Sequence, residues 1–226
     1  MALSTWMMGL AGTVAGLAVI TNLPTRLWMA TAPATLSHLS KAQLITITDD
    51  KKRRFMAKEL WEKNVLELSP QFVNQIENDP FMKMLMTYPT RISFQEALEL
   101  SSLKPELDAL GVKLYAVVHQ VLGVEDFRKY FKGEIFLDDQ RVFYGPKERW
   151  MPALGMLRLA FFQNVFRIYK KKIDGNMEGE GRLLGGVYVI GPGDQGVLFE
   201  HQEMEFGDTA NVTDVQASAK RIKKEF

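Results

Sequence analysis

Pro89-Thr-Arg-Ile-Ser93-Phe-Gln-Glu96 opens the segment on which the reading of the fold turns. Ser93 followed three residues later by Glu96 has the form of a capping box: the hydroxyl accepts from the Glu96 N–H, and the carboxylate reaches back to the Ser93 N–H. Phe94, Ala97, Leu98, Leu100, Leu103 and Leu107 then recur mostly at three- and four-residue steps, which predicts a helix with one buried face. A helix N-terminus presents free N–H groups and a positive dipole end, a setting that stabilises anions and thiolates. The chain has no cysteine to place there.

Working outward, Pro105 forces a kink or a fresh helix start, and Gly111 ends the helical segment. Leu114-Tyr-Ala-Val-Val118 reads as a strand buried on both faces, Val124 to Phe131 as a short helix, and Glu134-Ile-Phe-Leu137 as a second apolar strand. Val142-Phe-Tyr144 is a candidate pairing segment. Residues 150–169 read as a long helix with Leu154, Leu157, Phe161, Val165 and Ile168 as its core stripe, and with Arg158, Asn164, Arg167 and Lys171 on another side. Leu183–Ile190 and Gly196–His201 predict a hairpin across Gly191–Gln195, and Val212–Ile222 a closing helix. This order is a parallel βαβ half followed by an antiparallel pair, so the fold class is α/β and thioredoxin-like, a sheet with flanking helices. One piece is missing. The first central strand should precede the capped helix, yet Phe72, Ile76, Phe81, Met82, Leu85 and Met86 are spaced as in a helix, and no run in 65–88 reads as a buried strand.

Residues 1–25 carry no charge, and Met7–Leu23 is a continuous small and apolar run closed by Pro24. The run predicts an apolar N-terminal helix that acts as a membrane anchor or a signal peptide. The first cation, Arg26, follows the run, which favours an anchored protein whose body stays in the cytoplasm; secretion is the alternative. Residues 26–54 read as a linker ending in the charge run Asp49-Asp-Lys-Lys-Arg-Arg54, residues 55–226 as the domain, and Ala57–Asn64 as a short amphipathic helix. A net charge of +1 offers no basic field for nucleic acid. The absence of cysteine removes disulfides, thiolate metal sites and thiol catalysis, and His38, His119 and His201 are too scattered for a metal site. Neither a metal nor a cofactor is therefore expected, and no protein partner is identified.

Several longer motifs resemble the peroxiredoxin-like 2A family. They include Ala57-Lys-Glu-Leu-Trp-Glu-Lys-Asn64, Leu100-Ser-Ser-Leu-Lys104, Leu114-Tyr-Ala-Val-Val118 and Tyr130-Phe-Lys-Gly-Glu-Ile-Phe-Leu-Asp138. Phe143-Tyr-Gly-Pro146, Gly175-Asn-Met-Glu-Gly-Glu-Gly181, Glu200-His201 and Glu205-Phe-Gly-Asp208 continue the resemblance in order. It implies a peroxiredoxin-like oxidoreductase fold and a redox-regulatory, antioxidant role that depends on a Cys-x-x-Cys at the end of the first core strand. Counting back from Glu96-Ala97, those two positions fall on Thr90 and Ser93, and residues 65–93 diverge from the family pattern. An alcohol is a poor nucleophile without an adjacent base and cannot cycle through sulfenic acid or a disulfide. The expectation is a family member without peroxidase turnover, a pseudoenzyme, or else a binding and regulatory module on the same fold. Ser93 is expected as an N-cap worth about 1 kcal/mol. His119 and His201 are expected as strand-end histidines, and Gly175–Gly186 as a loop that lacks the Gly-Lys-Ser/Thr of a phosphate cradle. Lys170-Lys-Lys172 beside the aromatic helix offers a membrane contact, although a core helix is the expected reading. Asn211-Val-Thr213 fits either a glycosylation acceptor or a helix cap.

Overall fold

The structure is a computed structural model that describes residues 22–23, 29, 31–47, 52–61, 83–88, 91–151, 158–159, 162–163, 166, 182–205 and 207–222. Elements in chain order are α1 (Leu36–Leu39), β1 (Gln43–Thr46), β2 (Arg54–Met56), β3 (Lys83–Tyr88), α2 (Arg91–Ser102), α3 (Lys104–Leu110), β4 (Lys113–Val118), α4 (Val124–Arg128) and β5 (Glu134–Leu137). There follow β6 (Arg149–Trp150), β7 (Leu183–Leu184), β8 (Gly186–Ile190), β9 (Val197–Gln202) and α5 (Val212–Lys220). Seven strands form one sheet in the order β2-β1-β5-β4-β3-β8-β9, and β6 pairs with β7 separately.

The strand missing from the sequence reading is present, and it is central. β3 runs parallel to β4 from Lys83↔Lys113 to Tyr88↔Val118, and antiparallel to β8 from Lys83↔Ile190 to Met86↔Val187. The expected gap beside β4 is therefore filled by hydrogen-bonded backbone. Lys-Met-Leu-Met-Thr-Tyr contains few strongly β-favouring residues, and pairing on both sides overrides that weak propensity. Described residues of 26–54, the stretch expected as a linker, include paired backbone. Within them β1 pairs antiparallel with β5 at Ile45↔Leu137 and Thr46↔Phe136, and β2 pairs with β1 as the edge.

Two apolar layers sandwich the sheet. On one face α2, α3 and α5 pack Phe94, Ala97, Leu100, Leu107 and Val215 against Leu114, Ala116, Val187 and Val189. On the other, Leu39, Leu44, Phe55, Leu60 and Trp61 cover Tyr115, Val117, Phe136 and Tyr188. The alternation of Leu114 and Ala116 with Tyr115 and Val117 between the layers is the two-residue period of a strand buried on both sides. Leu98, expected in the buried stripe, is exposed, whereas Phe94, Ala97, Leu100, Leu103 and Leu107 are buried as expected. Pro105 stands in the first turn of the fresh helix α3, and Gly111 ends it at φ 75°.

Other local expectations shift. Val142–Tyr144 is a 3-10 turn instead of a pairing strand, and Ala57–Leu60 is likewise 3-10. The predicted hairpin forms as β8 and β9, with Gly186↔Gln202 and Val187↔His201 in register, while Leu183–Leu184 leaves it to pair with Arg149–Trp150. Asn211 caps α5 by accepting from the Thr213 N–H at 2.9 Å. The stripe expected at Leu154, Leu157, Phe161, Val165 and Ile168 lies outside the described residues. Arg158, expected on the polar side, is instead buried and ion-paired with Glu205 at 3.2 Å.

Gly186 is one of the positions where backbones crowd tightly at a strand end. A Cβ on Gly186 would stand 2.4 Å from the His201 carbonyl oxygen. Gly186→Ala is predicted to lower stability by about 1–3 kcal/mol through forced backbone movement. Chemical denaturation that left the midpoint unchanged would contradict this packing.

Candidate functional site

The carboxyl ends of β3, β4 and β5 and the start of β8 lie along one edge of the sheet. β3 ends at Tyr88 and α2 begins at Arg91, so the chain passes from central strand to helix within two residues. Thr90 lies outside the described residues; Ser93 falls in the first turn of α2. This corrects the capping box: the helix starts two residues before Ser93, which is therefore not the N-cap. Glu96 instead reaches across the fold, its Oε1 accepting from the Ala210 N–H at 2.6 Å, although Glu96 is only 1% exposed.

Around this helix start stands a buried polar frame. Arg149, 2% exposed, donates through Nη2 to the Gly185 carbonyl at 2.7 Å, through Nε to the Glu203 carbonyl at 3.3 Å and through Nη1 to the Tyr144 carbonyl at 3.4 Å. One guanidinium thus ties together the turn before β6, the turn before β8 and the end of β9, a fork geometry that lysine could not supply. Burial lowers its pKa, while Tyr188, Glu203 and Glu200 act in the opposite sense. Glu203 Oε2 accepts from the Gly185 N–H at 3.1 Å. The residue keeps some solvent contact, but burial of its carboxyl, together with the nearby Glu96, pushes the pKa up to about 8.

His201 lies on β9 beside this pair. Burial lowers its pKa, but the hydrogen bond and charge of Asp208, with Glu96 further off, outweigh burial and raise it. Its Nε2 is 3.4 Å from Asp208 Oδ1, and the other oxygen of Asp208 accepts from the Met204 N–H at 2.9 Å. At the end of β4, His119 Nδ1 meets the Tyr144 hydroxyl at 2.9 Å, with the two rings edge to face. Alongside it, Asp138 is fully buried and accepts from the Phe143 N–H at 2.9 Å; burial pushes its carboxyl up to about 6.

The structure therefore brings Ser93, His119 and His201 to the same edge of the sheet, each on a different element. Sequence reasoning did not anticipate Glu96 as a long-range acceptor, or Asp138, Arg149 and Glu203 as members of the frame. The only sequence signal for them was charge inside otherwise apolar surroundings, as in Leu137-Asp138 and Trp150 preceded by Arg149. The glycines 175–181 and Lys170–Lys172 lie outside the described residues. Among the described residues, no group of three or more His, Asp or Glu side chains is placed to hold a metal ion.

The frame's titrations share one sign. Glu203 and Asp138 bind protons in the folded state that the unfolded chain releases near 4.5 and 3.8, and His201 holds its proton above 6.5. Their contribution to stability is therefore present at low pH and is lost as pH rises toward about 8. Urea unfolding should show stability falling between about pH 5 and pH 8, with a shallower fall in Glu203→Gln. Equal slopes in the two proteins would contradict the placement of Glu203.

Residues 99–205 match the family model described as AhpC/TSA antioxidant enzyme, a match that starts beyond Thr90 and Ser93. Peroxiredoxin-like 2A of Danio rerio is 43% identical over 221 residues, covering 96% of this chain and 97% of that protein. The Homo sapiens protein of the same name is 46% identical over 193 residues, covering 84% and 77%. Among solved structures, a Xanthomonas campestris bacterioferritin comigratory protein, studied for alkyl peroxide reduction, overlaps 85% of this chain and 98% of its own at 16% identity and a TM-score of 0.46. That superposition is too distant to add to the argument, and the assignment rests on the curated relatives. With a thioredoxin-like sheet of the peroxiredoxin type and this degree of identity along nearly its whole length, the chain belongs to the peroxiredoxin-like 2A family.

Proposed function

We propose that this chain is a redox-regulatory, antioxidant-type protein that performs no peroxidase turnover of its own. The observation that carries the reading is the entry of β3 into α2 at the polar edge of the sheet, combined with a sequence that holds no cysteine. In the family resemblance, Thr90 and Ser93 occupy the place of the two redox cysteines. Peroxide reduction by a thiol requires a thiolate to attack one oxygen, release the other as water or alcohol, and then be restored from sulfenic acid through a disulfide. A threonine or serine hydroxyl ionises far above neutral pH and has no comparable oxidised state to cycle through. The helix N-terminus remains suited to an anion, but the reacting atom is oxygen.

A second reading has a specific observation in its favour. The frame of Arg149, Glu203, Glu96 and Ala210 is fully built although no thiol is there to use it. A module that binds a redox partner through this edge, without turnover, would need the frame and not the cysteines.

Purified full-length chain is expected to reduce hydrogen peroxide, with a thiol reductant, no faster than a heat-denatured control. Measurable thiol-dependent turnover above that control would overturn the proposal. The register is tested separately by introducing cysteine at both positions, Thr90→Cys with Ser93→Cys. Oxidation should then close an intramolecular disulfide, seen as protection of both thiols from alkylation. Two free thiols after oxidation would show that the register or the local geometry differs.

A further inference from the structure

We propose that the rung joining Gly185 to Glu203 is a proton-operated lock between the seven-stranded sheet and the β6–β7 pair, closed while the Glu203 carboxyl is protonated and released as it ionises. Gly185 is the residue at which the chain leaves β7, paired with β6, and enters β8, paired with β9. It is the hinge between the two sheets. Opposite it, Glu203 follows the last residue of β9. The Glu203 N–H donates to the Gly185 carbonyl at 3.0 Å, as in an ordinary antiparallel rung. The return bond is different: the Gly185 N–H goes to the Glu203 side chain, at Oε2, 3.1 Å away. The Glu203 carbonyl, which a backbone rung would use, accepts instead from Arg149 Nε at 3.3 Å, while Arg149 Nη2 holds the Gly185 carbonyl at 2.7 Å. A rung made only of backbone has no titratable atom. This one is completed by a carboxyl.

The charges around the rung set the direction of the lock. Glu203 faces Glu96 from α2, His201 from β9, Asp208 from the loop before α5 and Arg149 from β6. Glu205, two residues on, is paired with Arg158 at 3.2 Å. Glu96 is fixed in place, buried and with Oε1 on the Ala210 N–H at 2.6 Å. The Gly185 N–H and His201 favour an ionised Glu203, but burial of the carboxyl and the Glu96 carboxylate outweigh them. Glu203 keeps some solvent contact, so its ionised carboxyl reaches water by turning outward. That turn takes away the acceptor of the Gly185 N–H, a buried donor that needs a partner, and the hinge loosens. The closed rung keeps a proton that the open one gives up. Opening is therefore favoured progressively as pH rises from about 5 to about 8 and levels off above that.

The test is amide hydrogen exchange of the full chain at several pH values, corrected for the intrinsic rate at each. Protection of the Gly185 and Glu203 amides is expected to fall roughly tenfold per pH unit between about pH 6 and pH 8. Both amides should be less protected than Tyr115 and Val117 of β4 and should respond weakly to added urea, the mark of a local opening. Glu203→Gln, which keeps the acceptor and removes the titration, should flatten the pH dependence at Gly185. Glu96→Gln should make the fall level off at a lower pH. Protection at Gly185 that does not change with pH in the parent would overturn the proposal, and so would the same fall in folded Glu203→Gln. Protection equal to that of β4 at every pH and urea concentration would also overturn it, because the rung would then open only with the whole fold.

Discussion

Everything in this fold hangs on the double pairing of β3. Its backbone is parallel to β4 on one side and antiparallel to β8 on the other, so it joins the βαβ half of the sheet to the β8–β9 hairpin. Without it, β4 and β8 would each present a row of unpaired N–H and C=O groups in the middle of the protein, a cost that buried backbone does not bear. The same strand sets the place of the candidate site. Its carboxyl end hands the chain to α2 at the edge where Arg149 clamps three carbonyl groups and where Glu96 and Glu203 lie in mutual influence.

Sequence patterns foretold those elements whose stabilising causes are local or repetitive. The doubly buried run Leu114–Val118, the strand Glu134–Leu137, the restart at Pro105 and the cap at Asn211 all follow from a few neighbouring residues. β3 was invisible for a physical reason. Lys83-Met-Leu-Met-Thr-Tyr88 has neither the two-residue alternation of a half-buried strand nor a β-branched run, and it is held by partners 30 or more positions away. β1 was missed likewise: its four residues lie in a stretch punctuated by threonine and proline, and pairing with β5 some ninety positions on decides its state.

The site was legible in outline and not in content. Serine followed at three residues by glutamate has two uses, and local pattern favoured the cap. The fold sends a Glu96 oxygen to the Ala210 N–H, 114 positions away, and starts the helix at Arg91. Arg149, Asp138 and Glu203 carry no spacing signature because their neighbours are assembled by the sheet. The resemblance implies redox cysteines near the start of α2, and in our proposal Thr90 and Ser93 stand in their places; the chain holds no cysteine. The described polar edge of this peroxiredoxin-type sheet holds backbone in place, with Arg149 on three carbonyl groups and Glu96 on the Ala210 N–H.

The account depends most directly on residues 83–88 being central backbone that delivers the start of α2 to this edge. Amide hydrogen exchange on the full-length chain measures it. Met84, Leu85, Met86 and Thr87 should exchange as slowly as Tyr115, Ala116 and Val117 in the neighbouring strand, and should lose protection together with them as denaturant is added. Rapid exchange at 84–87 while β4 stays protected would show that the sheet closes without this strand, and the placement of the site would fall with it.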